Sequence, residues 1–150
     1  MVERIAATPE YMESERISHF GDLKSSAKAF IDTLIPGYER DLYNIIGRGV
    51  VEDKELQPPI NDNRHFNLDM IKAEPGKGAS PHIHATNEVF FALSGKWAIY
   101  WQNQDCSQHE VILEQYDRFR CRSASAADFV TPAMTPPICW RSSAAPIRAK

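Results

Sequence analysis

No apolar run in the chain exceeds Val89 to Leu93, far short of the roughly 20 residues that a membrane-spanning helix needs. The polar N-terminal stretch has no apolar core of the secretory-signal kind. Lys and Arg form no stripe, and a formal net charge of -3 with a pI near 5.9 supplies no basic field for a phosphate backbone. We therefore expect a cytoplasmic protein with neither a membrane nor a nucleic acid as partner. Cysteine is scarce: Cys106, Cys121 and Cys139 are odd in number and widely spaced, which suits neither a disulfide framework nor a paired-cysteine zinc site, so we read them as thiols. No internal repeat is visible. The 150 residues are one domain's worth, enough to bury roughly two-thirds of the unfolded surface around one core.

What is present changes character along the chain. In TPEYMESERISHFG, Thr8 can cap a helix, Pro9 fits its first turn, Glu10 suits its positive end and Gly21 can terminate it. DLKSSAKAFIDTLIPG reads as a second short helix that stops before Pro36 and Gly37. From RDLYNIIGRGVVED onward β-branched and aromatic residues alternate with Gly, Pro and Asn, the texture of strands. PPINDN is a loop. Short strands then follow at hairpin spacing: RHFNLDMIKA, PHIHA, NEVFFALSG, KWAIYWQ and HEVILEQYDRF, with EPGKGAS and NQDCSQ as turns. This pattern predicts an all-β antiparallel sandwich or barrel, organised as an N-terminal helical and extended arm (residues 1–62), a barrel core (63–120) and a tail (121–150).

The stretch GKGASPHIHATNEVFFALSG concentrates the chemistry. His82 and His84 are two residues apart, so on a strand both imidazoles point the same way. After a turn at Ala85 to Asn87, Glu88 opens the next strand and can bring a carboxylate opposite them. Two imidazoles and one carboxylate are the donor set of a site for divalent iron, and also for Mn, Ni or Zn. The spacing G-x5-H-x-H-x3-E-x6-G, complete here at Gly76, His82, His84, Glu88 and Gly95, resembles the first motif of the cupin family. The resemblance covers about twenty residues, extends through the neighbouring hairpins to Asn63 and Phe119, and leaves the N-terminal arm outside. It implies a cupin double-stranded β-helix, or jelly-roll barrel, with His82, His84 and Glu88 as metal ligands.

The family's second motif, G-x5-P-x-G-x2-H-x3-N, is not readable after Phe119. After Glu88 the only histidine is His109, at the start of the strand between the motifs, where it faces solvent or the sheet surface. Residues 121–150 are instead a mixture of Ala, Ser, Pro and Arg without alternation or an apolar stripe. We read them as translated out of frame, with the barrel's closing strands missing or irregular. Pro132, Pro136, Pro137 and Pro146 disfavour central strands, leaving room for a short edge strand at ADFVT and another at ICWRS. Shifting the frame permits P-x-G-x2-R-x3-N at the second motif's spacing. The fourth-ligand slot, built from the codons of Ala126 and Ala127, can then encode Arg, Gly, Ser or Cys but not His. Three protein ligands would leave the metal open to water or substrate, the arrangement of catalytic more often than structural sites.

The expected function is that of a metal-dependent cupin oxidoreductase of dioxygenase type, acting on a small organic substrate, with aromatic compounds among the candidates. The alternatives are isomerase or lyase chemistry on the same ligands, or a non-catalytic small-molecule sensor. Phe90 and Ala92 share the face of Glu88 by period two and are candidates for a substrate pocket, together with Tyr43 from the arm. Phe91, Trp97, Tyr100 and Trp101 read as sheet packing, and Arg40 and Arg48 as solvated. The arm's Phe30, Ile31, Leu34 and Ile35 need a surface to cover, so we expect a homodimer.

Overall fold

Thr8 caps the first helix as expected: its hydroxyl accepts from the Tyr11 amide at 3.2 Å, and α1 runs Pro9–Glu15. The helix ends well before Gly21. Arg16 leaves helical geometry at φ -130°, its guanidinium donating to Asp62 Oδ2 at 2.6 Å and to the Tyr11 hydroxyl at 3.1 Å. The Ile, Ser and His that follow are weak helix formers. In the computed structural model the described residues are 6–62, 65–83, 86–103 and 105–121, together with the backbone of 128–130. They fall into two units, Met1–Ala73 and Glu74–Lys150.

In the first unit the expected second helix does not form. Its place is taken by strand β1 (Ser25–Ser26) and a 3-10 turn (Ile31–Leu34). β1 pairs antiparallel with β2 (Asp41–Ile46), Ser25 opposite Tyr43 and Ser26 opposite Leu42. The Ser26 hydroxyl donates to Asp53 Oδ2 at 2.6 Å and accepts from the Lys28 amide at 3.0 Å. Serine side chains bind nearby backbone in this way in competition with helix, and the ladder to β2 settles the contest. The Ser26 hydroxyl, then the Glu55 amide, hold the Asp53 carboxyl below the ordinary range.

β3 (Leu68–Lys72) lies on the other side of β2, antiparallel, setting Ile71 opposite Leu42. That pair belongs to the core of this unit, made of Ala29, Leu42, Val51 and Leu56 with Phe30 and Ile71 packed against it. Arg40 is buried rather than solvated, because Asp32 folds back to meet its guanidinium. Arg48 stays exposed. Of the apolar arm positions, Phe30 is half-buried while Ile31, Leu34 and Ile35 are exposed.

β2 ends at Gly47, whose amide donates to the Ile60 carbonyl at 2.8 Å. Gly47 has φ +65°, and a Cβ there would collide with the Asn67 side chain. Left-handed backbone costs an L-residue roughly 1–2 kcal/mol, before Asn67 is displaced. Gly47→Ala should therefore lower the unfolding free energy by about 2 kcal/mol. Urea unfolding measures this, and a loss below about 0.5 kcal/mol, the range of neutral surface changes, would contradict it.

The second unit is built from antiparallel pairs. β4 (Glu88–Phe91) pairs with β7 (Arg118–Cys121). β5 (Trp97–Gln102) lies between β6 (Gln108–Leu113) and β8 (Asp128–Val130). β8 stands where the short edge strand at ADFVT was expected; the remaining readings of the tail fall outside the described residues. The β5–β6 hairpin closes through Asn103 N–H to Ser107 O at 3.0 Å, and the Asp105 carboxylate accepts from the Ser107 amide and hydroxyl. The hydroxyl, then the amide, hold the Asp105 carboxyl low. Ala98, Ile99 and Tyr100 are buried along β5, and the Tyr100 hydroxyl donates to Ala79 O at 3.1 Å. Cys121 is a free, buried cysteine, as its reading as a thiol requires.

The protein is thus rich in β-structure, with antiparallel strand pairs in three separate sheets and no closed barrel among the described residues. No helix among them is long and apolar enough to cross a membrane.

Candidate metal centre

Glu88 is the first residue of β4, and its side chain turns with Phe90 to the half-buried face; Val89 and Phe91 face outward. Ala92, next in the period-two series, is 3% exposed. The register with β7 places Cys121 opposite Glu88 and Phe119 opposite Phe90. The two phenyl rings stack with centroids 6.3 Å apart at 24°, in the offset range that aromatic pairs prefer. A carboxylate, a pair of rings and a small methyl therefore share one side of this ribbon. Tyr43 lies in the other unit, on β2, its ring 5.2 Å from that of Phe20.

His82 departs from the expected geometry. PHIHA forms no strand over its described residues: Pro81 sits at a bend, His82 has no strand pairing and Ile83 makes an isolated bridge. Proline lacks the amide a ladder requires, and His82 bonds locally, its Nδ1 lying 2.7 Å from Ser80 O. A carbonyl oxygen can only accept, so Nδ1 carries the proton and, in the neutral ring, Nε2 carries the lone pair. Metal-binding histidines are commonly fixed by such a bond from the other ring nitrogen. His84 lies outside the described residues, so the same-face reading of the pair is not addressed by them.

The donor types suit the group they were expected to hold. An imidazole held in the Nδ1–H tautomer, with its lone pair on Nε2, and a carboxylate on a half-buried face are nitrogen and oxygen donors that divalent Fe, Mn, Ni and Zn accept. Among the described residues no group of three His, Cys, Asp or Glu side chains stands close enough to hold a metal ion; His82 and Glu88 are the two expected ligands that belong to them. His109, on β6, is exposed and stacks on Trp101 with centroids 5.5 Å apart, as its reading as a surface histidine requires.

Two contributors escaped sequence reasoning. Ser80 acts through its carbonyl, which no side-chain pattern signals. Phe119 meets Phe90 only through the β4–β7 register; its place in an alternating segment marks the inward face but not the residue across from it. Compared with models of known protein families, with curated proteins and with solved structures, the chain matches none of them.

Proposed function

We propose that this chain is a cupin-type jelly-roll protein that binds a divalent metal, iron first among the candidates, through His82, His84 and Glu88. We assign it an oxidoreductase function of dioxygenase type on a small aromatic substrate. The observation that carries this reading is the shared half-buried side of Glu88, Phe90 and Ala92, which puts the motif's carboxylate beside an apolar wall. The bond from His82 to Ser80 O supports it by keeping Nε2 in lone-pair form. A bound divalent iron would supply open positions for substrate and oxygen and a path for electrons. The chain's own contributions are then distinct. Glu88 brings the negative charge, Ser80 holds the proton on His82 Nδ1, and Phe90 with Phe119 excludes water and offers a flat surface to an aromatic ring.

The test has two stages. Protein purified without added ions is analysed for metal, then its iron-loaded form is assayed for oxygen consumption over catechols, hydroxybenzoates and diketones. Metal near one per chain with oxygen uptake on an aromatic substrate is the expected result. Substrate conversion without oxygen uptake would replace the dioxygenase with isomerase or lyase chemistry. Metal without turnover would replace it with a sensor, and no metal at all would overturn the site.

A further inference from the structure

The residues of β4 that turn away from Glu88 form a row continued by Leu93: Val89 is 59% exposed, Phe91 59% and Leu93 56%. Ala92 extends the strand pairing beyond Phe91, its amide donating to Asp117 O and its carbonyl accepting from the Tyr116 amide. The β4–β7 register sets Arg120 opposite Val89 and Arg118 opposite Phe91, and directly opposed residues in an antiparallel pair share a face. Both arginines are exposed, and neither forms an ion pair among the described residues. One exposed leucine needs no explanation, but three large apolar side chains in a row, bordered by two such cations, mark an interaction surface.

The dimensions of this face select its occupant. From Val89 to Leu93 the row covers about 13 Å of extended chain, the length of about nine residues of α-helix. The apolar and cationic rows lie on neighbouring strands, about 5 Å apart. Residues three or four apart stack along one stripe of a helix, and the positions between them project to either side of it. A strand laid on this face would present a single row of side chains, whereas a helix can present an apolar stripe and a charged stripe side by side. An anionic bilayer fits less well, because its field acts on the whole protein, whose net charge is -3. A peptide meets only the two arginines.

We propose that the Val89, Phe91, Leu93, Arg118 and Arg120 face binds an acidic amphipathic helix of a partner protein. Its apolar stripe would cover the first three residues and its carboxylates would pair with the arginines, in the helix-on-apolar-face mode of recognition. This surface is the opposite side of the ribbon from Glu88, and the proposal does not depend on the metal site.

The test uses the full chain and a fluorescein-labelled 15-residue helical peptide carrying a leucine stripe beside a glutamate stripe. Its comparison peptide has every glutamate replaced by lysine. Fluorescence anisotropy at low salt should show saturable binding of the glutamate peptide and at least tenfold weaker binding of the lysine peptide. Arg118→Glu with Arg120→Glu should reverse that order, Arg118→Lys with Arg120→Lys should retain it, and Phe91→Ser should weaken binding about tenfold. Equal binding of both peptides, or binding of neither, overturns the proposal without recourse to any variant that fails to fold. Capture by phosphatidylserine vesicles without peptide binding would assign the face to lipid. A dimer in sedimentation that Phe91→Ser abolishes would assign it to a second copy. Either result would also overturn the helix.

Discussion

His82→Ala is expected to weaken metal binding by more than about 100-fold, beyond the 10–100-fold typical of losing only an outer-shell partner of a ligand. Alanine removes the imidazole that Ser80 O orients through Nδ1 at 2.7 Å, and with it one of two nitrogen donors in the proposed set. Histidine ligates only when neutral, and an ordinary imidazole titrates at about pH 6.5. Affinity should consequently fall as pH drops through that region. If His82 and His84 both ligate, the logarithm of affinity should approach a slope of about two per pH unit on the acid side, one proton competing at each ring. One ligating histidine would give a slope of about one. Competition against a chelator at several pH values measures both quantities, with His109→Ala as a control that keeps its metal because His109 is outside the proposed ligand set and is stacked on Trp101. Unchanged affinity in His82→Ala would remove this residue from the site.

The largest loss of stability should come from Asp32→Ala, which we expect to cost about 3 kcal/mol or more. The side chains of Arg40 and Asp32 are only 5% and 15% exposed, so their charges sit largely away from water. The contact is a two-point one: Nη2 donates to Oδ1 at 2.8 Å and Nη1 to Oδ2 at 3.1 Å, while Nη1 also donates to Tyr38 O at 3.0 Å. The guanidinium carbon lies 5.0 Å from the centre of the Phe30 ring. Removing the carboxylate takes a two-point counter-charge away from a buried cation, so less of the desolvation already incurred is offset. Replacing both partners, as Asp32→Leu with Arg40→Met, removes that charge and should recover most of the loss, since apolar replacement of a buried pair is often close to neutral. Urea unfolding of the single and double variants closes the cycle. A cost below about 1 kcal/mol for Asp32→Ala, typical of an exposed pair, would show that the pair is solvated in solution.

Local chemistry makes part of this protein legible from residue order alone. Thr8 is identifiable as a cap because its hydroxyl reaches only three residues ahead, and the shared face of Glu88, Phe90 and Ala92 follows from the period-two geometry of any strand. The turn NQDCSQ closes on bonds spanning a few residues. Where partners lie far along the chain, the same reasoning fails. Ser25 and Ser26 sit in a segment with helical spacing, yet become a strand because β2 and Asp53 offer backbone and carboxylate partners. Arg40 reads as solvated because nothing in the sequence says that a 3-10 turn will bring Asp32 back to its guanidinium. Phe119 meets Phe90, and Arg118 meets Phe91, only once β4 and β7 adopt their register. Residue identity and short spacing determine caps, turns and which side chains share a side of a strand; burial, ion pairing and cross-strand partnership depend on contacts between distant segments, whose loop-closure cost is offset only when the whole sheet forms.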